Sequence, residues 1–217
     1  METLTVGRLS TNCYIYPLES QNKNGLKNAA LIDPGAEDDV IIAALEKNAF
    51  FPQYILLTHC HFDHILALSA VYNHYKQKPV IACAAAESEY IGEKSWEKHK
   101  KTLNFLSILT FIKEPPPFPN AGFIIEEGSS FGSLTAMLVP GHSPGSAAFY
   151  DKAAGILFSG DVLFASGVGR TDLAGGDQKS LKQSLSRLLA LPGETLVFPG
   201  HGPSTTIARE QNTLLFF

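Results

Sequence analysis

Residues 58–64 of this 217-residue chain are Thr58-His59-Cys60-His61-Phe62-Asp63-His64. They directly follow an apolar, β-prone run at 54–57 and therefore begin where a strand ends. In an extended stretch, alternate side chains lie on the same side, so His59 and His61 can reach one ion. We expect a helix to begin at Asp63, which would turn Asp63 and His64 toward a neighbouring position. Imidazole nitrogens and carboxylate oxygens are ligands for zinc, and also for iron or manganese.

Three further candidate ligands follow apolar strands in the same way, each directly after a glycine that lets backbones approach closely. Leu138-Val139-Pro140-Gly141 precedes His142, Leu157-Phe158-Ser159-Gly160 precedes Asp161, and Val197-Phe198-Pro199-Gly200 precedes His201. Loops at strand ends are where a sheet protein collects its functional side chains. Of the seven histidines, His74 and His99 fall outside this pattern. We interpret both as surface residues on helices.

Seven donors are too many for one four-coordinate ion, so we expect two divalent ions that share Asp161. The predicted ligands are His59, His61, His142 and Asp161 for one ion, and Asp63, His64, Asp161 and His201 for the other. A water bridging two cations loses a proton near neutral pH, because their charge lowers its pKa from about 15.7 toward about 7. The resulting hydroxide would attack a carbonyl group. Asp161, as the bridge, and Asp63, which would orient the water, are therefore the predicted catalytic residues.

Apolar, β-prone runs alternate with polar or glycine-rich turns along the chain. The predicted strands are 3–6, 13–16, 29–32, 54–57, 80–82, 122–125, 134–139, 147–150, 156–159 and 195–198. The predicted helices are 37–47, 65–75, most of 84–110, and 178–189. No shift in composition divides the chain, so we expect one domain over residues 1–217. Mixed strands and helices in both halves favour an α+β fold, an αββα sandwich of two mixed β-sheets flanked by helices. Periodicity alone does not distinguish it from a doubly wound sheet.

The composition argues against several classes of protein. Hydrophobic residues make up 45% and charged residues 18%, which is typical of a globular chain and not of a disordered one. The net charge of -4 gives no general attraction to nucleic acid, and no apolar run reaches the length of a membrane span. Three widely spaced cysteines and no secretory leader favour the reducing cytoplasm. We therefore expect neither nucleic-acid nor membrane partners, and the sequence does not predict the oligomeric state.

The order His-x-His-x-Asp-His, then a distant His, Asp and His, resembles the metallo-β-lactamase superfamily. The matching residues are His59, His61, Asp63, His64, His142, Asp161 and His201. The resemblance runs from Asn12-Cys13-Tyr14, through Asp33-Pro34-Gly35, to residues 199–203. Residues 141–146 and 169–172 are similar to the glyoxalase II-like, or hydroxyacylglutathione hydrolase-like, single-domain branch. The resemblance implies an αββα fold, a dinuclear zinc or mixed zinc/iron site, and hydrolysis of thioesters.

This resemblance predicts a small acyl thioester as substrate and leaves alternatives open. It does not extend to the C-terminal helical domain with which a true glyoxalase II helps to hold glutathione, so recognition of glutathione stays open. Persulfide dioxygenases, a mononuclear-iron branch of the same fold, also resemble this chain at Thr58-His59-Cys60-His61 and at residues 169–172. A metal-binding module without catalytic activity is a third reading. It would bind zinc and hydrolyse no thioester.

Residues outside the seven ligands have simpler predicted roles. Ligating histidines usually donate their second N–H to a carboxylate or a carbonyl, and Asp33 is the candidate acceptor beside residues 59–64. Cys60 is expected to point away from His59 and His61 and to be buried by packing. Arg170 and Asp172 are expected to form an ion pair that fixes their loop. The aromatic residues of segment 88–119 are expected to belong to the core more than to a lid over the metals.

Overall fold

Two six-stranded β-sheets form the middle of the computed structural model, which describes residues 1–213. Across the first sheet the strands are β1 (Glu2–Val6), β2 (Thr11–Gln21), β3 (Lys27–Ile32), β4 (Phe50–Leu56), β5 (Val80–Ala84) and β6 (Phe123–Ile125). The strands β1, β2 and β3 pair antiparallel, whereas β3 to β6 pair parallel. The first sheet is therefore mixed.

The second sheet comes mainly from the C-terminal half of the chain. Its strands are β7 (Ser130–Phe131), β8 (Leu134–Leu138), β9 (Ala147–Asp151), β10 (Ile156–Gly160), β13 (Leu196–Pro199) and β14 (Thr205–Thr206), in the spatial order β14-β13-β10-β9-β8-β7. Only the pair β10 and β13 is parallel among these described strands. The strands β11 (Leu163–Phe164) and β12 (Gly167–Val168) form a separate small hairpin.

Helices cover the outer face of each sheet. They are α1 (Asp38–Lys47), α2 (Phe62–Ile65), α3 (Leu68–His74), α4 (Trp96–Phe105), α5 (Gln178–Leu188) and α6 (Ile207–Thr213). Short 3-10 turns lie at Ala85–Tyr90 and Leu109–Phe111. Within residues 1–213, no helix combines the length and the hydropathy that crossing a membrane requires.

Strand β2 shows why two layers of apolar residues form on one sheet. Successive side chains of a strand point to opposite faces. Cys13 and Ile15 pack in the cluster that contains residues of α1, α3 and α4, whereas Tyr14 and Tyr16 pack between the two sheets. A third cluster places α5 and α6 against the outer face of the second sheet. The predicted αββα sandwich is therefore confirmed.

Two predictions about helices are wrong. The predicted helix at 65–75 is interrupted between α2 and α3, because the Ala67 N–H donates to the carbonyl of Pro34 instead of continuing α2. His99 is not on the surface, since only 2% of it is exposed and its Nε2 lies 2.7 Å from the Tyr90 carbonyl. His74 is exposed as predicted, with Nε2 2.9 Å from Glu46 Oε1.

Candidate metal centre

The seven predicted ligands converge in space. In each of two groups the ligand atoms lie within 4.8 Å of one another: a first group of His59, His61 and His142, and a second group of Asp63, His64 and His201. An overlapping set of His59, His64 and Asp161 meets the same limit. The first segment follows β4, and the other three follow β8, β10 and β13. The ends of four strands from both sheets therefore deliver the donors to one place, as the strand-end pattern predicted. That they bind cations stays a prediction.

The first group directs imidazole nitrogens toward one another. His142 Nδ1 lies 2.8 Å from the Arg170 carbonyl, which can only accept, so this nitrogen carries the proton. His142 Nε2 is then unprotonated in the neutral ring, and it faces His61 Nδ1 at 2.9 Å. Next to them, the Thr58 hydroxyl donates to Asp33 Oδ2 at 2.6 Å and can accept from His59 Nδ1 at 3.1 Å. This network leaves His59 Nε2 unprotonated as well.

The second group has the same property. His64 Nδ1 lies 3.0 Å from Asp33 Oδ2, and His201 Nδ1 lies 3.0 Å from the Leu9 carbonyl. Both partners are acceptors, so both Nδ1 atoms donate, and the two Nε2 atoms face each other at 3.3 Å. Asp63 Oδ2 lies 3.2 Å from His201 Nε2 and accepts from the Thr11 hydroxyl at 3.2 Å.

A cation would satisfy what the protein alone leaves unmet. Imidazole nitrogens that face each other at about 3 Å repel unless a proton or a cation lies between them. In residues 1–213, His59 Nε2 and Asp161 Oδ1 are among the buried side-chain atoms without a hydrogen-bond partner. Such orphans are costly in a folded protein. The donor set therefore fits divalent cations of the zinc, iron or manganese kind.

Asp161 lies between the two groups. Its Oδ1 is 3.5 Å from His64 Nε2, and its Oδ2 is 3.7 Å from His142 Nε2 and 3.5 Å from His201 Nε2. A single carboxylate thus reaches donors of both groups. The geometry fits the shared ligand that the count of donors predicted.

The protonation tendencies separate the two groups. Burial, followed by the charge of neighbouring histidines, lowers the pKa of His61 to about 3 and that of His59 well below its usual value. Burial also opposes charge on His64, but the adjacent carboxylates outweigh it and raise the His64 pKa. Burial likewise acts against the charged form of Asp63, yet His64 and His201 hold the Asp63 pKa well below its usual range. His59 and His61 are thus held neutral, with lone pairs available for a cation, whereas the second group combines histidine with carboxylate charge.

Asp33 lies behind the ligands, at the place where an orienting acceptor was predicted. Its carboxylate accepts from the Thr58 N–H at 2.8 Å, from the Thr58 hydroxyl and from His64 Nδ1. The equivalent acceptors for His142 and His201 are the backbone carbonyls of Arg170 and Leu9. Sequence reasoning missed these two, since a carbonyl acceptor leaves no mark on residue identity.

The smaller predictions have mixed outcomes. Cys60 is fully buried, and Arg170 forms a two-pronged pair with Asp172, with Nε and one terminal nitrogen 2.6 and 2.7 Å from the two carboxylate oxygens. Both predictions are confirmed. The aromatic residues of 88–119 divide: Trp96 is 7% exposed, as expected of core, whereas Phe105 is 65% exposed. The expectation that these aromatics belong to the core is therefore only partly correct.

The fold and the donor geometry define a metal-binding αββα protein, and comparison with known proteins gives its family. Residues 6–201 match the metallo-beta-lactamase superfamily. The probable metallo-hydrolase YqgX of Bacillus subtilis (strain 168) is 38% identical over 213 residues, which cover 96% of this chain and 93% of that protein. The chain therefore belongs to the metallo-β-lactamase superfamily.

Two further relatives bear on substrate and metal. The hydroxyacylglutathione hydrolase GloC of Haemophilus influenzae is 33% identical over 189 residues, covering 86% of each chain. The crystal structure of TTHA1623 in a di-iron-bound form superposes with a TM-score of 0.81 at 35% identity, covering 98% of each chain. This chain is thus similar over most of its length to one protein named as a hydroxyacylglutathione hydrolase and to another whose structure is in a di-iron-bound form.

Proposed function

We propose that this protein hydrolyses small acyl thioesters, with two divalent cations held by the seven convergent ligands. The superfamily supports a metal-dependent hydrolase, and similarity to a hydroxyacylglutathione hydrolase supports the substrate class. One observation carries the proposal: two sets of imidazole nitrogens face each other at 2.9 and 3.3 Å on either side of the Asp161 carboxylate.

Bound cations would lower the pKa of a coordinated water and polarise the acyl carbonyl. His59, His61 and His142 would hold one cation, and Asp63, His64 and His201 the other, with Asp161 between them. The side chains of Asp63, Asp161 and His201 are 14%, 12% and 27% exposed, whereas that of His64 is fully buried. Substrate therefore approaches from the side of the two aspartates and His201.

The chain's own residues control where protons lie during hydrolysis. Water oxygen adds to the acyl carbon, the carbon–sulfur bond breaks, and the thiolate takes up a proton. Asp63 Oδ2, which accepts from the Thr11 hydroxyl, is exposed enough to orient the attacking water. Asp33 and the Leu9 and Arg170 carbonyls keep the Nδ1 protons of three histidines in place, so that each Nε2 stays free for a cation.

The test combines metal analysis with a substrate screen. We expect protein purified without added metal or chelator to contain about two divalent ions per chain and to hydrolyse a hydroxyacyl-glutathione thioester. Asp161→Asn should weaken cation binding and lower turnover. Loss of a residue that only hydrogen-bonds to a metal ligand costs about 10–100-fold, and we expect the loss of Asp161 to cost at least as much. Asp39→Asn, on the exposed face of α1, is the control. Full turnover by the metal-depleted protein would refute the mechanism.

The same screen separates the alternatives. A persulfide dioxygenase would consume oxygen with glutathione persulfide and contain about one iron per chain. A metal-binding module would bind zinc and hydrolyse no thioester, lactone or lactam. Cleavage of a lactam without thioester cleavage would overturn the proposed substrate class but not the metal chemistry.

A further inference from the structure

Glu87 is a buried carboxylate that lies outside the predicted ligand set. It belongs to the 3-10 turn after β5 and is 1% exposed. Its Oε2 accepts from the Cys60 N–H at 2.8 Å. Its Oε1 accepts from the Ser143 hydroxyl at 2.7 Å and from the Gly145 N–H at 2.9 Å. Charge-assisted bonds of this kind are among the stronger hydrogen bonds in proteins.

These three donors belong to the two segments that carry the first ligand group. Cys60 lies between His59 and His61, and Ser143 directly follows His142. The Glu87 side chain, in the turn after β5, therefore connects the segment after β4 to the segment after β8. Unlike Asp161, which lies near ring nitrogens of both segments, Glu87 is bonded to groups outside the ligand rings.

Residues 143–146 orient a hydroxyl donor toward the Glu87 carboxylate and leave space for its side chain. Ser143 and Ser146 hydroxyls lie 2.8 Å apart, and Ser146 Oγ also accepts from the Ser143 N–H at 3.1 Å. Ser146 can thus donate to Ser143 Oγ, which leaves the Ser143 hydroxyl proton for Glu87. A Cβ at Gly145 would lie 2.7 Å from Glu87 Cγ, closer than Cβ atoms are found in proteins. Gly145 therefore admits the glutamate.

We propose that Glu87 is a positioning residue, which holds the His59–His61 and His142 segments at the spacing that one cation requires. The inference rests on the proposed function only in that these three histidines bind a cation. Glu87 touches neither the ligand nitrogens nor the open side of the site. Its effect therefore passes through the backbone of residues 60 and 145 and through the Ser143 hydroxyl.

Glu210 provides a matched control for burial and charge. It is fully buried and accepts from the Ser166 N–H at 2.8 Å and from the Thr205 hydroxyl at 2.6 Å. None of its partners neighbours a predicted ligand in sequence. If buried carboxylates matter only for folding, Glu87→Gln and Glu210→Gln should behave alike.

The experiment is a Co²⁺ titration of the chelator-treated protein, read by visible absorption, for wild type, Glu87→Gln and Glu210→Gln. A glutamine cannot accept at both oxygen positions, because its NH₂ must face Cys60 N–H or the Ser143 and Gly145 donors. We expect Glu87→Gln to weaken one of the two Co²⁺ sites by about 10–100-fold and change its spectrum, leaving the other intact. Glu210→Gln should keep both sites and both spectra.

Ser143→Ala tests the same proposal if Glu87→Gln does not fold. Ser143→Ala removes one donor and keeps the other two, so we expect a smaller loss of affinity at the same site with the same spectral change. Unchanged affinity and spectrum in both folded variants would overturn the proposal, as would equal losses in Glu210→Gln.

The outcomes also separate this proposal from the proposed function. Wild-type protein that binds two ions but hydrolyses no thioester would refute the proposed function. The Co²⁺ titration would then still decide the role of Glu87. Equal Co²⁺ affinities in wild type and Glu87→Gln would refute the role of Glu87 alone. A wild-type chain that binds no cation would overturn both.

Discussion

Asp33 has a left-handed backbone conformation, with φ of 50°, and accepts three hydrogen bonds from Thr58 and His64. The conformation is strained for most residues, but asparagine and aspartate adopt it more readily. The turn at Asp33-Pro34-Gly35 therefore serves two purposes. It ends β3, and it directs a carboxylate at the His64 ring, with Oδ2 3.0 Å from Nδ1.

Asp33→Asn should keep this turn and disturb the metal centre. The amide NH₂ must face either Thr58 or His64, both of which donate, so at least one bond is lost. We expect about 10–100-fold weaker cation binding. Isothermal titration calorimetry with Zn²⁺ measures this change in affinity. Asp151→Asn is the control, since Asp151 is equally buried but accepts from Tyr16 and Ala154. Equal affinities in wild type and Asp33→Asn would contradict the role of Asp33.

Gly200 is the second residue whose identity matters for the metal centre, because a single added carbon atom there would displace a predicted ligand. A Cβ there would overlap Asp161 Oδ1 and lie 2.7 Å from His64 Cε1. Gly200→Ala should therefore displace the Asp161 carboxylate and reduce the number of bound cations per chain, which elemental analysis measures. Gly167→Ala, where a Cβ meets no atom within 4 Å, should bind as the wild type does. Two cations per chain in Gly200→Ala would show that the Asp161 carboxylate does not need the space beside Gly200 to bind.

At the scale of elements, the positions of the ligand-bearing strand ends could be predicted because each combines an apolar run with Gly and a ligand-type residue. The breaks within the 84–110 segment could not. It was predicted to be mainly helical, which is correct in outline, but the α-helix is confined to Trp96–Phe105 and follows the 3-10 turn that holds Glu87. A buried glutamate and a buried His99 look like surface residues in sequence, because their partners lie in distant loops or on backbone carbonyls.

Helix α5 was predicted almost to its residue bounds, since Leu181, Leu185 and Leu188 recur at helical spacing and all three are buried. Leu185→Ala should lower the free energy of unfolding by about 2–5 kcal/mol, because it leaves a cavity against the second sheet. Urea unfolding measures the change. Leu196→Ala, at a 45% exposed position on β13, should cost much less. Equal losses in the two variants would contradict the packing described for α5.

Over the whole molecule, the sandwich was one of two predicted arrangements, and residue pattern could not choose between them. The choice is made by contacts between distant strands. Tyr14 packs against Phe158 across the two sheets, with ring centroids 5.0 Å apart and ring planes tilted by 54°. At the metal centre, backbone bonds join the sheets directly: Ala147 N–H donates to the Thr58 carbonyl at 2.7 Å, and Asn12 N–H to that of Gly200 at 2.7 Å.

Because the layer between the sheets is built of apolar and aromatic side chains, chelation should remove the metals without unfolding the protein. We expect far-UV circular dichroism to stay unchanged and the melting temperature to fall. Restoring Zn²⁺ at 100 times its Kd should return about 2.7 kcal/mol of stability for each site that it fills. Loss of the far-UV signal on chelation would show instead that the cations are required for the fold.

The donors of the metal centre are spread from residue 59 to residue 201, and the backbone of residues 11 and 12 is bonded to the loop that carries the last of them. During synthesis, His201 leaves the ribosome long after the first histidines. A nascent chain can thus offer three imidazoles to a cation but not the complete pair of sites. Full metal loading therefore reports that the N-terminal and C-terminal thirds of the chain have met.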